Sequence, residues 1–177
     1  VDLEHGSITT NQLPDLFRSL ESGRTMPLVR IAQGESKDCK QALDAGAYGV
    51  IVPMVSSAQQ LKLVISYCCW PPSGRRGVGF SRANLFGKYF DSYSEEAQHP
   101  IIIAQIEEIN AVDNLESILS VSGLDAIMVG PYDLSGSIGK PGEWDHPKVK
   151  EALLKYERIA STSKKIMGYH VIEPKHA

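Results

Sequence analysis

Long hydrophobic runs are missing from this 177-residue chain. The longest, Gly49 to Val55 and Ile101 to Ile106, fall far short of the roughly 20 apolar residues of a membrane helix, so no membrane span is expected. Runs of Lys and Arg are missing as well. The 18 Lys+Arg stand against 21 Asp+Glu for a formal charge of -3, which gives no electrostatic footprint for nucleic acid or for an anionic membrane surface. Cysteine is scarce: 3 residues, with Cys68 and Cys69 adjacent, make neither a disulfide framework nor a metal-ligand spacing, and that usage fits a reducing cytoplasm. The start, Val1-Asp2-Leu3-Glu4-His5, lacks a signal-peptide pattern. Because the chain opens without Met and ends at Pro174-Lys175-His176-Ala177, it is expected to be a piece of a longer protein.

What is present is an ordinary globular composition, 42% hydrophobic and 22% charged, read as one domain over 1–177. Short Val/Ile-rich runs alternate with stretches of helical spacing. The strand candidates are 28–31, 49–54, 101–107, 126–129 and 166–169, apolar on both faces as strands buried between two layers should be. The helix candidates are 13–20, 36–45, 57–69, 111–121 and 147–163, while 71–79 and 86–100 read as loops. Val1-Asp2 could end a further strand. Strand and helix in alternation mean βαβ units and a parallel sheet. Similar glycine turns, Asp44-Ala45-Gly46-Ala47 and Val121-Ser122-Gly123-Leu124, lead into two of the strands. A (β/α)8 barrel and a doubly wound sheet both fit, but a barrel takes about 250 residues, so on that reading an N-terminal unit and the last unit are absent.

In either fold, catalytic groups gather where parallel strands end. The strand ends carry, in order, Glu4 and His5, then Arg30, Pro53, Gln105 with Glu107, Asp133 within Gly130-Pro131-Tyr132-Asp133-Leu134, and His170. Charged groups at buried strand ends are costly unless paired, hydrogen-bonded or metal-bound. Glu107, Asp133 and the amide of Gln105 make an oxygen-rich set that suits Mg2+ or Mn2+; the alternative is an ion pair between Glu107 and Arg30. His5 could serve as a general base, since imidazole as a class titrates near neutral pH and a carboxylate such as Asp2 or Glu4 would orient it; otherwise it is a surface residue. Arg30 could stabilise an oxyanion or simply neutralise the rim. Gly130-Pro131 frees the N–H groups of Tyr132 and Asp133 to face a ligand carboxylate. No lysine falls at a strand exit, which argues against a Schiff-base aldolase and for an enolate stabilised by a metal.

In this order and spacing, Asp2-Leu3-Glu4-His5-Gly6, Pro27-Leu28-Val29-Arg30, Ala42-Leu43-Asp44-Ala45-Gly46-Ala47, Val52-Pro53-Met54-Val55, Pro71-Pro72-Ser73-Gly74-Arg75-Arg76-Gly77-Val78-Gly79, Gln105-Ile106-Glu107 and Val129-Gly130-Pro131-Tyr132-Asp133-Leu134-Ser135 run through nearly the whole chain. Together they resemble the metal-dependent (class II) pyruvate aldolases of the 4-hydroxy-2-oxoheptanedioate aldolase and 2-keto-3-deoxyrhamnonate aldolase family, within the aldolase/citrate lyase superfamily. The resemblance implies a (β/α)8 TIM barrel, present here without its first and last units, in a homo-oligomer, trimer or hexamer. It implies that Glu107 and Asp133 ligate a divalent cation, Mg2+, Mn2+ or Co2+. Pyruvate would chelate the cation and be held by Gln105 and the backbone around Tyr132 and Asp133, with His5 as base acting through a metal-bound water, Asp44 raising its basicity and Arg30 stabilising the enolate and the developing alkoxide. The implied reaction is cleavage of a 4-hydroxy-2-oxo acid to pyruvate and an aldehyde. The alternatives are a citrate- or malyl-thioester-type lyase or synthase of the same superfamily, and a non-catalytic barrel.

Departures from the pattern are Tyr132, where many members have Ala, and the polar run Gly168-Tyr169-His170-Val171-Ile172-Glu173-Pro174. Arg75, Arg76 and Arg82 could bind an acidic acceptor or pair within loops or subunit interfaces. Trp70 and Trp144 read as packing residues; His99, His146 and His176 read as exposed.

Overall fold

The computed structural model describes residues 1–171; the expectations for Ile172, Glu173, Pro174 and His176 lie outside the described residues. Five strands, β1 (Leu28–Arg30), β2 (Gly49–Val52), β3 (Ile101–Ile106), β4 (Ala126–Val129) and β5 (Ile166–Tyr169), form a parallel sheet in the order β1-β2-β3-β4-β5. The chain divides into two compact units, Val1–Pro53 with Leu63–Ile102 and Met54–Lys62 with Ile103 onward. No helix among the described residues is long and apolar enough to cross a membrane.

In the first unit, Leu28, Val29 and Arg30 stand opposite Gly49, Val50 and Ile51. The expected extra strand at Val1-Asp2 is one isolated parallel bridge, Asp2 to Arg30, in which the Arg30 N–H donates to the Val1 carbonyl at 2.8 Å and the Leu3 N–H to the Arg30 carbonyl at 2.9 Å. Helix α1 (Leu13–Ser22) starts beside Pro14 with Asp15 in its first turn and buries Leu13 and Phe17, one turn apart on one face. Each fully buried side chain of this kind contributes about 2 kcal/mol. Helix α2 (Ser36–Asp44) buries Cys39, Ala42 and Leu43 and ends before Gly46, whose φ of +106° no side chain adopts cheaply. Helix α3 (Ala58–Cys68) buries Leu61, Val64, Ile65 and Cys68. The loop predicted over 86–100 contains a helix, α4 (Phe90–Glu96). Its signal is aromatic: Trp70 lies 5.5 Å from the Phe90 ring and 5.3 Å from the Tyr93 ring, so tertiary packing fixes a segment whose own propensity is weak.

In the second unit, β3 pairs with β4 from Ile103↔Ala126 to Ile106↔Val129, and β4 with β5 from Ala126↔Ile166 to Val129↔Tyr169. The single helix predicted over 111–121 is two, α5 (Ile109–Asp113) and α6 (Leu115–Leu119), broken at Asn114, whose side-chain amide donates to the Ser56 carbonyl at 3.0 Å. Asn competes for backbone partners in this way and disfavours helix interiors. A short helix, α7 (Pro131–Gly136), starts directly after β4 with Pro131 in its first turn, a start signal the sequence reading passed over. Helix α8 (Pro147–Ser161) is capped by His146, whose Nδ1 accepts from the Lys148 N–H at 3.3 Å, and buries Val149, Ala152, Tyr156 and Ile159 along one stripe. Strand β5 departs from the expectation of two buried faces: Ile166 is 71% exposed, and Met167 and Tyr169 are exposed too. It stands last in the strand order, with β4 alone as its strand neighbour among the described residues.

Candidate active site

At the exit end of β1, the bridge to Asp2 brings the chain start beside Arg30. The guanidinium is held on three of its nitrogens: Nε donates to Asp2 Oδ1 at 2.9 Å, Nη2 to Asp2 Oδ2 at 2.5 Å, and Nη1 lies 3.2 Å from Glu4 Oε2. This two-point pairing fixes the plane of the guanidinium as well as its position. The Arg30 hydrogen bonds hold the Asp2 carboxyl down at about 2. His5 is exposed on the same segment, with Nε2 at 3.8 Å from Glu4 Oε2. Glu4 is thus within ion-pair reach of the His5 imidazole, while the Asp2 carboxylate pairs with Arg30.

Asp44 lies at the far end of α2 from the β1 exit. It is the last residue of α2, and this nine-residue helix carries the chain about 13 Å from the β1 exit back toward the β2 entry. There the carboxyl is half-buried; burial pushes its pKa up, against the pull of Arg76 and Lys40.

In the second unit, Glu107 follows the last residue of β3 and is 1% exposed. A carboxylate so buried needs donors. The Met54 N–H donates to Oε2 at 2.8 Å and the Gln105 amide Nε2 to Oε1 at 2.5 Å. Met54 reaches this position with φ +51°, a left-handed conformation uncommon for a side chain of its size. Gly130, at the exit of β4, leaves room on the other side: a Cβ there would stand 2.9 Å from Glu107 Oε1 and 3.3 Å from Gln105 Nε2. The Gln105 side chain is buried, and its Oε1 has no hydrogen-bond partner among the described residues.

Directly after Gly130, α7 carries Tyr132 and Asp133 in its first turn, both exposed, where helix-start N–H groups have no intrahelical acceptor. Tyr132 meets Trp144 edge to face at 4.9 Å, so Trp144 packs as expected yet stays 38% exposed. The Gly142 N–H donates to the buried Ser135 Oγ at 2.9 Å, which fastens the segment before Trp144 to α7.

The donor set of this unit is oxygen: the Glu107 carboxylate, the Gln105 carbonyl oxygen and the Asp133 carboxylate. That chemistry fits a hard divalent cation, with substrate or water oxygens completing its shell. No group of three or more His, Cys, Asp or Glu side chains suited to a metal occurs among the described residues, so a closed, all-protein zinc-type site is not what these residues build. The sequence reading missed the Met54 N–H, because a backbone donor presented by a left-handed residue leaves no trace in residue type. It left open whether Asp2 or Glu4 stands beside His5; the structure pairs Asp2 with Arg30 and sets Glu4 Oε2 3.8 Å from His5 Nε2.

The sequence profile of one family, HpcH/HpaI aldolase/citrate lyase, matches residues 1–172. A hydroxypyruvate/pyruvate aldolase of Roseobacter denitrificans is 37% identical over 171 residues, 95% of this chain and 66% of that protein. A 2-keto-3-deoxy-L-rhamnonate aldolase of Salmonella gallinarum is 33% identical over 177 residues, 98% of this chain and again 66% of the relative. The chain therefore spans somewhat under two thirds of the length of these curated relatives. Among solved structures, an HpcH/HpaI aldolase/citrate lyase family protein from Burkholderia cenocepacia superposes with a TM-score of 0.92 at 28% identity, over 99% of this chain and 71% of the other. On the match across residues 1–172, this chain belongs to the HpcH/HpaI aldolase/citrate lyase family.

Proposed function

We propose that the protein is a metal-dependent aldolase that cleaves a 4-hydroxy-2-oxo acid to pyruvate and an aldehyde, and runs the reverse addition. The observation that carries this reading is the buried Glu107 carboxylate at a strand exit, oriented by the Met54 N–H and the Gln105 amide and followed at the next strand exit by Asp133. The aldolase relatives at 33–37% identity support it.

In this reading the sheet belongs to a (β/α)8 barrel, assembled as a trimer or hexamer, and Glu107 and Asp133 hold Mg2+, Mn2+ or Co2+. A cation bound there supplies Lewis-acid polarisation of the substrate keto group, worth several kcal/mol at the transition state. Gln105 and the N–H groups at the start of α7 orient the pyruvate half, with Tyr132 bounding it. In the cleavage direction His5 accepts the proton of the C4 hydroxyl, the C3–C4 bond breaks, and its electron pair passes into the pyruvate enolate as the aldehyde leaves. Arg30, locked in plane by Asp2, offers fixed positive charge to the alkoxide that develops on C4. Protonation of C3 then completes pyruvate.

Exchange of the pyruvate methyl protons in D2O, followed by NMR, tests the reading without knowledge of the aldehyde. The full-length protein with Mn2+ or Mg2+ is expected to exchange them, and EDTA to stop the exchange. A folded, metal-loaded protein that leaves the methyl group untouched would remove pyruvate as the donor and overturn the proposal.

A further inference from the structure

Within the first unit a cavity of about 510 Å³ opens where the chain enters β2 and β3, between the end of α2 and α4. Arg76 lines it. This side chain is 2% exposed, its Nη2 donates to the Tyr93 hydroxyl at 3.0 Å, and its Nε and Nη1 are buried with no hydrogen-bond partner among the described residues. The Trp70 and Tyr93 rings stand 5.6 Å and 5.9 Å from its guanidinium carbon. Arg82, in the same wall, shows the contrast: its Nη2 pairs with Glu21 at 2.8 Å and its Nη1 donates to the Ala45 carbonyl at 2.9 Å. The acids on this side of the unit are Glu21, which Arg82 takes, Glu96 in the wall, and Asp44, which acts on Arg76 beyond ion-pair distance.

A guanidinium stays charged at every pH a protein survives, so burying it with donors unused is costly, and an anionic oxygen group supplies both the missing charge and the missing acceptors. The volume falls in the range of small-molecule sites, and Leu43, Ala47 and Ile101 offer apolar wall to the rest of such a molecule. Arg30 and His5, by contrast, sit at the exit end of β1, so an anion seated here is not the substrate of that rim. We propose that the cavity beside Arg76 is a binding site for a small organic anion, a carboxylate or a phosphate ester, whose anionic group is held by the buried guanidinium.

Trp70 makes the site its own reporter. With Trp144, and any tryptophan outside these 177 residues, replaced by Phe so that Trp70 alone reports, the full-length protein is titrated in EDTA at constant ionic strength with inorganic phosphate and, separately, with succinate. A saturable change in Trp70 emission with at least one of them is expected, weakened roughly tenfold or more by Arg76→Gln, as loss of a charge-assisted hydrogen bond implies. Should Arg76→Gln fail to fold, Arg76→Lys keeps the charge but not the fork and is expected to weaken binding to a smaller extent. No saturable change with either anion, or equal affinity in the Arg76 variant, overturns the proposal. Emission that follows protein concentration with no anion added also overturns it, since a carboxylate from a second copy would then be the occupant.

Discussion

Asp2 and Arg30 are joined twice, by the parallel backbone bridge between them and by the two-point ion pair of their side chains. The Arg30 hydrogen bonds bring the Asp2 carboxyl down from 3.8 to about 2 in the folded protein. A depressed folded value means that the pair's stabilisation is complete above about pH 3.8 and is lost as pH falls toward 2. Asp2→Asn is therefore expected to lower stability at pH 6, with the gap to the unsubstituted protein closing as the pH is taken down through that window. Denaturant unfolding at pH 6 and pH 3 measures it; a gap that does not narrow would contradict the assignment. Arg30 released from its plane should also slow cleavage of a 4-hydroxy-2-oxo acid by roughly tenfold, read as pyruvate release.

Glu107→Gln keeps the shape at the β3 exit, removes the charge and turns one acceptor oxygen into a donor amide, from which Gln105 Oε1, unpartnered among the described residues, can accept if the Gln105 amide turns over. It is expected to fold, to bind Mn2+ at least a hundredfold more weakly and to lose metal-dependent exchange, since an anionic ligand contributes several kcal/mol to a hard cation. Titration calorimetry with Mn2+ beside the NMR exchange assay reads both quantities. Full exchange in this variant would sink the metal assignment.

Gly130→Ala isolates the close approach. The backbone there, φ -103°, suits any residue, so the added methyl acts by meeting Glu107 Oε1 at 2.9 Å and Cγ at 3.1 Å and Gln105 Nε2 at 3.3 Å. The expected result is a folded protein in which the carboxylate is displaced and metal affinity falls by roughly 10- to 100-fold, the range seen when a ligand's support is disturbed. Unchanged affinity would mean that the carboxylate does not bind the cation from this position.

Tyr132→Ala removes an edge-to-face partner of Trp144, at a cost of about 1 kcal/mol measurable by thermal unfolding. It also opens the space beside Asp133. The variant is expected to accept 2-oxo acids bulkier than pyruvate in the exchange assay, with 2-oxobutanoate as the first to try. No gain with the larger acid would show that Tyr132 does not bound the donor.

Alternation of Val/Ile runs with helical spacing was enough to read every strand among the described residues, the helices α1, α2, α3 and α8, and α5 with α6 as one stretch, because strand burial and helix stripes are periodic signals. The misreadings have local causes. Asn114 breaks a continuous apolar stripe through a hydrogen bond to Ser56, a partner distant in sequence. Phe90 and Tyr93 form α4 through Trp70, again a contact no local pattern shows. β5 is as apolar as its neighbours, yet exposed, since exposure depends on what lies against it. In the site, Glu107, Gln105 and Asp133 were legible from their place at strand exits. The partner of Arg30 was not, because it depends on a bridge between residues 28 apart in the chain. Arg76 was legible only as a motif; its burial is a tertiary fact.

Glu107 finally bears on how the cost of binding is divided. One oxygen takes the amide of Gln105 and the other the N–H of a Met54 held in a rarely populated backbone conformation, which itself costs about 1 to 3 kcal/mol. The carboxylate is therefore aligned while the chain folds. If Glu107 holds the cation as proposed, an arriving ion has no rotamers to arrange there, so the entropy of ordering the ligand falls on folding stability, and occupancy returns it as resistance to heat. Protein stripped of metal and protein saturated with it should differ in Tm by more than a mobile surface carboxylate could produce.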